Sequence, residues 1–88
     1  MLEKTFTVIE EAGIHARPAS VLVSEADKFD ADVYLTFKGK RVSLKSIMGV
    51  MALGIPKGSK ITIAASGPDE DEALATLTQT MESQGVGE

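Results

Sequence analysis

Residues 33–44 read Val-Tyr-Leu-Thr-Phe-Lys-Gly-Lys-Arg-Val-Ser-Leu, and this stretch decides the fold class. Apolar residues alternate along the chain on both sides of Lys38-Gly39-Lys40, a segment typical of a hairpin turn. A period of two places alternate side chains on one face of a strand. The pattern therefore predicts a β-hairpin with one buried face, formed by Val33, Leu35, Phe37, Val42 and Leu44.

The segments on either side of the hairpin predict five further elements. Residues 2–8 alternate as a strand with Leu2, Phe6 and Val8 on one face, although Lys4 shares that face. A second strand is predicted over 61–65, and helices over 16–29, 47–53 and 69–84. The order β-α-β-β-α-β-α predicts an α+β fold, a split βαβ unit with one appended helix. One twisted sheet with its helices on a single face is the expected architecture.

The composition of the chain excludes several kinds of function. The chain has 88 residues, no cysteine and one histidine, which predicts one domain over 1–88 and excludes disulfides, thiol catalysis and thiolate metal sites. One histidine also leaves zinc short of ligands. A body this small has no room for a deep pocket, so any chemistry is expected at its surface. The longest nearly apolar stretch, Ile47–Ile55, is too short to span a membrane, and no signal peptide is evident, so we expect a cytoplasmic domain.

The charge is unevenly distributed along the chain. The net charge of −4 and the pI near 4.9 argue against a nucleic-acid partner, which selects basic surfaces. Residues 68–88 carry six acids and no base, whereas residues 1–67 carry seven acids and nine bases. The first three quarters of the chain are therefore mildly basic, which suits a site that receives phosphate and docks acidic partner surfaces.

The only histidine lies in Gly13-Ile14-His15-Ala16-Arg17-Pro18, one residue before a predicted helix start. Helix N-termini bind anions and favour neutral imidazole, the form with a nucleophilic nitrogen. Arg17 could grip phosphoryl oxygens while backbone N–H groups bind the others. The chemistry suggested is transient phosphorylation of His15. The alternative is a surface or capping histidine beside a solvated arginine.

A second motif is Lys45-Ser46-Ile47-Met48-Gly49-Val50-Met51. Ser46 is suited to cap a short helix whose apolar residues lie nearly all round it. Because such a helix can bury only one side against a sheet, some of these residues should face water and form a contact surface. The alternative is that they are all core.

The acidic run Asp69-Glu70-Asp71-Glu72 is interpreted as a helix N-terminus. It lacks the alternating ligands of a calcium loop. The spacing of Asp69 and Glu72 predicts a capping box. No metal site is expected.

Two stretches, Gly13–Ala19 and Leu44–Met51, closely resemble the HPr family, and the likeness extends to the closing Gly-Val-Gly-Glu. This family contains the histidine-containing phosphocarriers of the bacterial phosphoenolpyruvate-dependent sugar phosphotransferase system. The second motif is similar to the version in Gram-positive bacteria related to Bacillus. The resemblance implies an open-faced β-sandwich with a four-stranded antiparallel sheet, strand order 1-4-2-3, and three helices on one face.

The resemblance also implies functional roles. The family histidine that matches His15 takes phosphate on Nδ1 from enzyme I and passes it to sugar-specific IIA domains. Arg17 matches the arginine that assists transfer, and the backbone of Ala16 and Arg17 would bind phosphate. Ser46 matches the serine phosphorylated by the ATP-dependent HPr kinase/phosphorylase, whose product is a co-repressor of the catabolite control protein. The implied partner-binding residues are Arg17, Ser20, Ser24, Ile47, Met48 and Met51.

The implied protein is a phosphoryl carrier without enzymatic turnover, cofactor, metal or membrane insertion, and most simply a monomer. Two positions depart from the family pattern: Ala12 replaces a residue that is often Ser, Thr or Asn, and Ser24 replaces a glutamine common in relatives. The alternative is a purely regulatory relative that binds a transcription factor without phosphohistidine transfer, but such paralogues lack the histidine. A ferredoxin-like binding module is a third hypothesis, which leaves both motifs unexplained.

Overall fold

The computed structural model describes all 88 residues and contains one four-stranded antiparallel sheet. Its strands lie in the spatial order β1-β4-β2-β3, and their bounds are β1 Leu2–Thr7, β2 Asp32–Phe37, β3 Lys40–Ser43 and β4 Lys60–Ser66. The helices are α1 Ala16–Ala26, α2 Ile47–Met51 and α3 Glu70–Ser83. The element order and the 1-4-2-3 strand order are confirmed.

The hairpin that decides the fold class forms as predicted. Tyr34 pairs with Ser43 and Phe37 with Lys40, so the loop has only two residues, Lys38 and Gly39. Both have positive φ, 50° and 78°, which matches the right-handed twist of the flanking strands. The inward face carries the buried residues Val33, Leu35 and Phe37.

The core lies between the sheet and the helices. It is one cluster of 20 buried residues, and its largest side chains come from strands, helices and the loops between them. The fully buried members by volume include Phe6, Leu22, Leu35, Leu44, Ile61, Ile63, Leu77 and Met81. Because α1 contacts both α2 and α3, the three helices cover this one side of the sheet together.

Several predicted boundaries are wrong. The first helix ends at Ala26, because Lys28 and Phe29 donate to carbonyls only three residues back and the chain turns toward β2. The helix α2 ends at Met51 rather than Leu53 for the same reason. Leu2 was expected on the buried face but is 36% exposed, and Val8 lies outside β1 in an isolated bridge to Gly87.

The predicted capping box at α3 is also wrong. The Asp69 side chain makes no capping hydrogen bond to its own helix. Its carboxylate instead accepts the backbone N–H groups of Asp30 at 2.9 Å and Ala31 at 2.8 Å. The hydrogen bond from Asp30 holds the pKa of Asp69 below its ordinary value of 3.8, aided by Ala31 and by the charge of Lys45. Asp69 therefore ties α3 to the loop that precedes β2.

We expect Asp69→Asn to lower the stability of the fold at neutral pH, because an amide has one acceptor oxygen where the carboxylate has two. Because the folded pKa is depressed, the contribution of Asp69 is complete above 3.8 and is lost as the pH falls through the lower folded value. The difference in urea midpoint between parent and variant should therefore close in acid. Asp71→Asn is the control, because it removes a charge from the same helical turn without removing these hydrogen bonds, and it should lower the midpoint less. An equal loss there would contradict the assignment.

Candidate functional site

A tight turn carries the chain into α1. The N–H of Gly13 donates to the carbonyl of Glu10 at 2.9 Å, and Gly13 has a φ of +72°. A Cβ at this position would overlap the carbonyl oxygen of Ile55, which itself accepts the N–H of Ile14 at 2.9 Å. Only glycine meets both the backbone and the space requirement. The loop before α1 is thereby fixed against the loop after α2.

His15 is the N-cap of α1, as predicted, with extended backbone angles. Its side chain makes no capping hydrogen bond, and its ring is 40% exposed. The first N–H groups of a helix have no partner within the helix, so those of Ala16 and Arg17 are available to an anion beside the ring. Pro18 lies in the first turn, where its missing N–H costs nothing.

Glu10 bridges the two side chains of the first motif and was not predicted from the sequence. Its Oε1 lies 3.4 Å from Nε2 of His15, and its Oε2 lies 3.3 Å from Nη2 of Arg17. A carboxylate only accepts, so this contact needs a proton on Nε2, and in the neutral ring the lone pair then lies on Nδ1. The signal that could have found it is the spacing of Glu10 and Gly13, which suits a β-turn with glycine in its last position.

The neighbouring acid has a different partner. Lys57 donates to the Glu11 carboxylate at 2.8 Å, and this hydrogen bond together with the lysine charge holds the pKa of Glu11 below its ordinary value. Glu11 therefore forms an exposed ion pair with Lys57, and Glu10 is the acid that contacts His15.

The second motif forms α2 with Ser46 as its N-cap. The Ser46 hydroxyl oxygen accepts the N–H of Gly49 at 3.1 Å, so the capping prediction is confirmed. Val50 is fully buried. The prediction that part of this helix faces water is also confirmed, since Met48 is 80% exposed, and Ile47 and Met51 are about half as exposed as Met48. The alternative that all of its apolar residues are core is wrong.

A shallow depression joins the two motifs. His15 and Met51 both line it, together with Ala12, Ile14, Gly54, Ile55 and Pro56. Ala12 contributes only a methyl group to this lining. Arg17, Ser20 and Ser24 are exposed along α1 at a spacing of three and four, which places them on one side of that helix. The predicted partner-binding residues are thus all at the surface, and the depression connects α1 to α2.

The structure contains no group of three His, Asp or Glu side chains arranged to hold a metal ion. None of its helices combines the length and the apolar character needed to cross a bilayer. Every buried side-chain nitrogen and oxygen has a hydrogen-bond partner.

The sequence model of a family described as "PTS HPr component phosphorylation site" matches residues 2–83. This chain belongs to that family. The HPr proteins are phosphocarrier components of the phosphotransferase system for sugar transport, whose partners include enzyme I and IIA domains. Membership and fold together support a phosphocarrier role for this chain.

Solved structures agree with this membership. The histidine-containing phosphocarrier protein of Mycoplasma is 40% identical, with a TM-score of 0.96 over 99% of each chain. The HPr of Bacillus anthracis is 44% identical, with a TM-score of 0.83 over 90% of this chain and 94% of its own. Crh, the catabolite repression protein of Bacillus subtilis, is 40% identical with a TM-score of 0.75 over 98% and 99%, in a domain-swapped dimer. The Gram-positive character of the sequence is borne out by these HPr relatives.

Proposed function

We propose that His15 accepts a phosphoryl group on Nδ1 from phosphorylated enzyme I and passes it to sugar-specific IIA domains. The observation that carries this proposal is the hydrogen-bonding state of the ring. Nε2 faces the Glu10 carboxylate, whereas Nδ1 makes no hydrogen bond. The ring lies at the start of α1 and makes no capping hydrogen bond to the helix. A neutral imidazole with a free Nδ1 lone pair is a nucleophile held ready at an anion-binding helix end.

The transfer needs no cofactor. The Nδ1 lone pair forms a bond to phosphorus while the bond from phosphorus to the donor atom breaks, leaving its electron pair on the donor. The ring then carries phosphoryl on Nδ1 and the proton on Nε2, so it is a phosphoimidazolium. The N–H groups of Ala16 and Arg17 would bind phosphoryl oxygens, and the Arg17 guanidinium would neutralise their charge. The second transfer reverses these changes.

The surface around His15 suits brief contacts with several partners. Met48 and its exposed neighbours Ile47 and Met51 form an apolar patch, and methionine adapts to partners of different shape. Arg17, Ser20 and Ser24 continue this surface along α1 as polar contacts, although the short Ser24 gives less reach than a glutamine. Because residues 68–88 hold six of the thirteen acids and no base, acidic partners would be steered away from α3 and toward this side.

Residues 1–88 would act as one domain, as a monomer and in the cytoplasm. Small, weak interfaces allow a carrier to leave each partner as readily as it arrives, and a stable self-association would oppose this. Because the Bacillus subtilis relative forms a swapped dimer, the oligomeric state of this chain should be measured in solution.

Incubation with phosphoenolpyruvate and enzyme I should place one acid-labile phosphate on the parent and none on His15→Ala. His15 is the only histidine, so a label that disappears in this variant lies on that ring. An unchanged urea midpoint in His15→Ala would show that the fold is intact. A parent that takes no label, or a variant that keeps it, would contradict the proposal.

We also propose that Ser46 is phosphorylated by HPr kinase/phosphorylase and that this regulates the carrier. Ser46 is exposed, and its hydroxyl lies at the N-terminus of α2, where a phosphate is locally tolerated. The phosphate adds a charge of about −1.5 to −2 beside Ile47 and Met48, which a partner must cover. Docking of enzyme I would weaken by repulsion and desolvation, without refolding of the chain. The phosphorylated form would serve as co-repressor of the catabolite control protein.

Ser46→Asp is expected to slow phosphorylation by enzyme I about tenfold, through a higher apparent KM, because a charge is placed in the docking patch. Ser46→Ala removes the cap without adding charge, so it should lower stability by about 1 kcal/mol and leave docking nearly unchanged. Initial rates over a range of carrier concentration measure both variants. A Ser46→Asp protein phosphorylated as fast as the parent would refute the electrostatic account.

The second candidate is a purely regulatory protein that binds a transcription factor without phosphohistidine transfer. The likeness to the catabolite repression protein of Bacillus subtilis favours it. His15 argues for the carrier, because its side chain is partly exposed and makes no capping hydrogen bond to α1. The two candidates separate in one assay: a regulatory protein would bind the catabolite control protein after Ser46 phosphorylation yet take no label from enzyme I.

A further inference from the structure

We propose that Glu10 is a positioning residue for phosphoryl transfer at His15, an inference that rests on the function proposed above. Its carboxylate divides its two oxygens between the nucleophile and the neighbouring cation, with Oε1 3.4 Å from His15 Nε2 and Oε2 3.3 Å from Arg17 Nη2. One side chain thereby contacts both groups before a phosphoryl donor arrives.

The position of Glu10 is itself well determined. Its carbonyl accepts the N–H of Gly13 at 2.9 Å, and its own N–H donates to the carbonyl of Val86 at 3.3 Å. The preceding residue, Ile9, donates to the same Val86 carbonyl at 2.8 Å. The backbone of Glu10 is therefore held between the turn that leads into α1 and the C-terminal segment. Its side chain is only 21% exposed, against 89% for Glu11.

The contact with His15 selects one tautomer of the neutral ring. Because a carboxylate accepts and cannot donate, the proton lies on Nε2 and the lone pair on Nδ1. When Nδ1 attacks phosphorus, the ring gains a positive charge that Nε2–H shares. The Glu10 carboxylate, 3.4 Å from that atom, stabilises the charge as it develops.

The contact between Glu10 and Arg17 is weak enough for Arg17 to leave it for another anion. Charge-assisted hydrogen bonds are usually about 2.7–2.9 Å long, so a single contact of 3.3 Å on a half-exposed guanidinium is loose. A phosphoryl group offers the same guanidinium two oxygens in a bidentate arrangement. Arg17 would therefore rest on Glu10 in the free carrier and move to the phosphoryl group once it is bound to Nδ1.

The experiment compares Glu10→Ala and Glu10→Gln with the parent, and Glu11→Ala is the matched control. Glu11 has the same charge in the same turn but pairs with Lys57 and not with His15. Two measurements are made on each protein: the tautomer of the neutral His15 ring by ¹⁵N NMR, and the maximal rate and KM of phosphorylation by enzyme I from initial rates over a range of carrier concentrations.

In Glu10→Ala we expect the fraction of Nε2–H tautomer to fall toward that of histidine in an unfolded peptide, and the rate to fall about fivefold with little change in KM. Glu10→Gln should give an intermediate tautomer fraction and an intermediate rate, because its amide can accept from Nε2–H through the oxygen or donate to an unprotonated Nε2 through the nitrogen. Glu11→Ala should match the parent in both measurements.

The proposal is overturned if Glu10→Ala retains the parent tautomer, or retains the parent rate, or if Glu11→Ala slows transfer equally. Failure of the proposed function looks different: the parent itself would then take no phosphate. Equal labelling of parent and Glu10→Ala would instead remove Glu10 from the mechanism and leave the carrier function standing.

Discussion

The close approach of Gly13 to the carbonyl of Ile55 is the constraint on which the site depends. The backbone of Gly13 has a positive φ and leaves no space for a side chain at that point. The contact joins the loop before α1 to the loop after α2, two segments about forty residues apart in the sequence. It brings His15 and Met51 to one depression, so that the start of α1 and the end of α2 share a surface.

The local sequence pattern was sufficient to predict the helices and strands, but it was insufficient to predict how the strands are ordered in the sheet. Alternation and the turn signal Lys38-Gly39-Lys40 predicted the hairpin because both signals lie within twelve residues. The strand order 1-4-2-3 depends on long-range pairing of β4 between β1 and β2, which no local period encodes, and it was expected only from the family resemblance. The ends of α1 and α2 were misplaced because their last turns tighten to i→i+3 hydrogen bonds.

The site shows the same division. The positions of His15 and Ser46 at helix starts could be predicted because each residue stands directly before an identifiable helix. The contact between Glu10 and His15 was not predicted, because it depends on a turn that folds the chain back onto a residue five positions later. The spacing of Asp69 predicted a local capping box that does not form. Its carboxylate instead makes a tertiary contact with the backbone N–H groups of Asp30 and Ala31.

The central claim is that the free Nδ1 of His15 is the phosphoryl acceptor, while Glu10 occupies the side of Nε2. The most direct measurement is ¹⁵N and ³¹P NMR of the phosphorylated protein with labelled histidine, which identifies the ring nitrogen bonded to phosphorus. The account predicts coupling of phosphorus to Nδ1 alone, with Nε2 protonated. Phosphorus on Nε2 would contradict it, because that nitrogen faces a carboxylate that would have to be displaced.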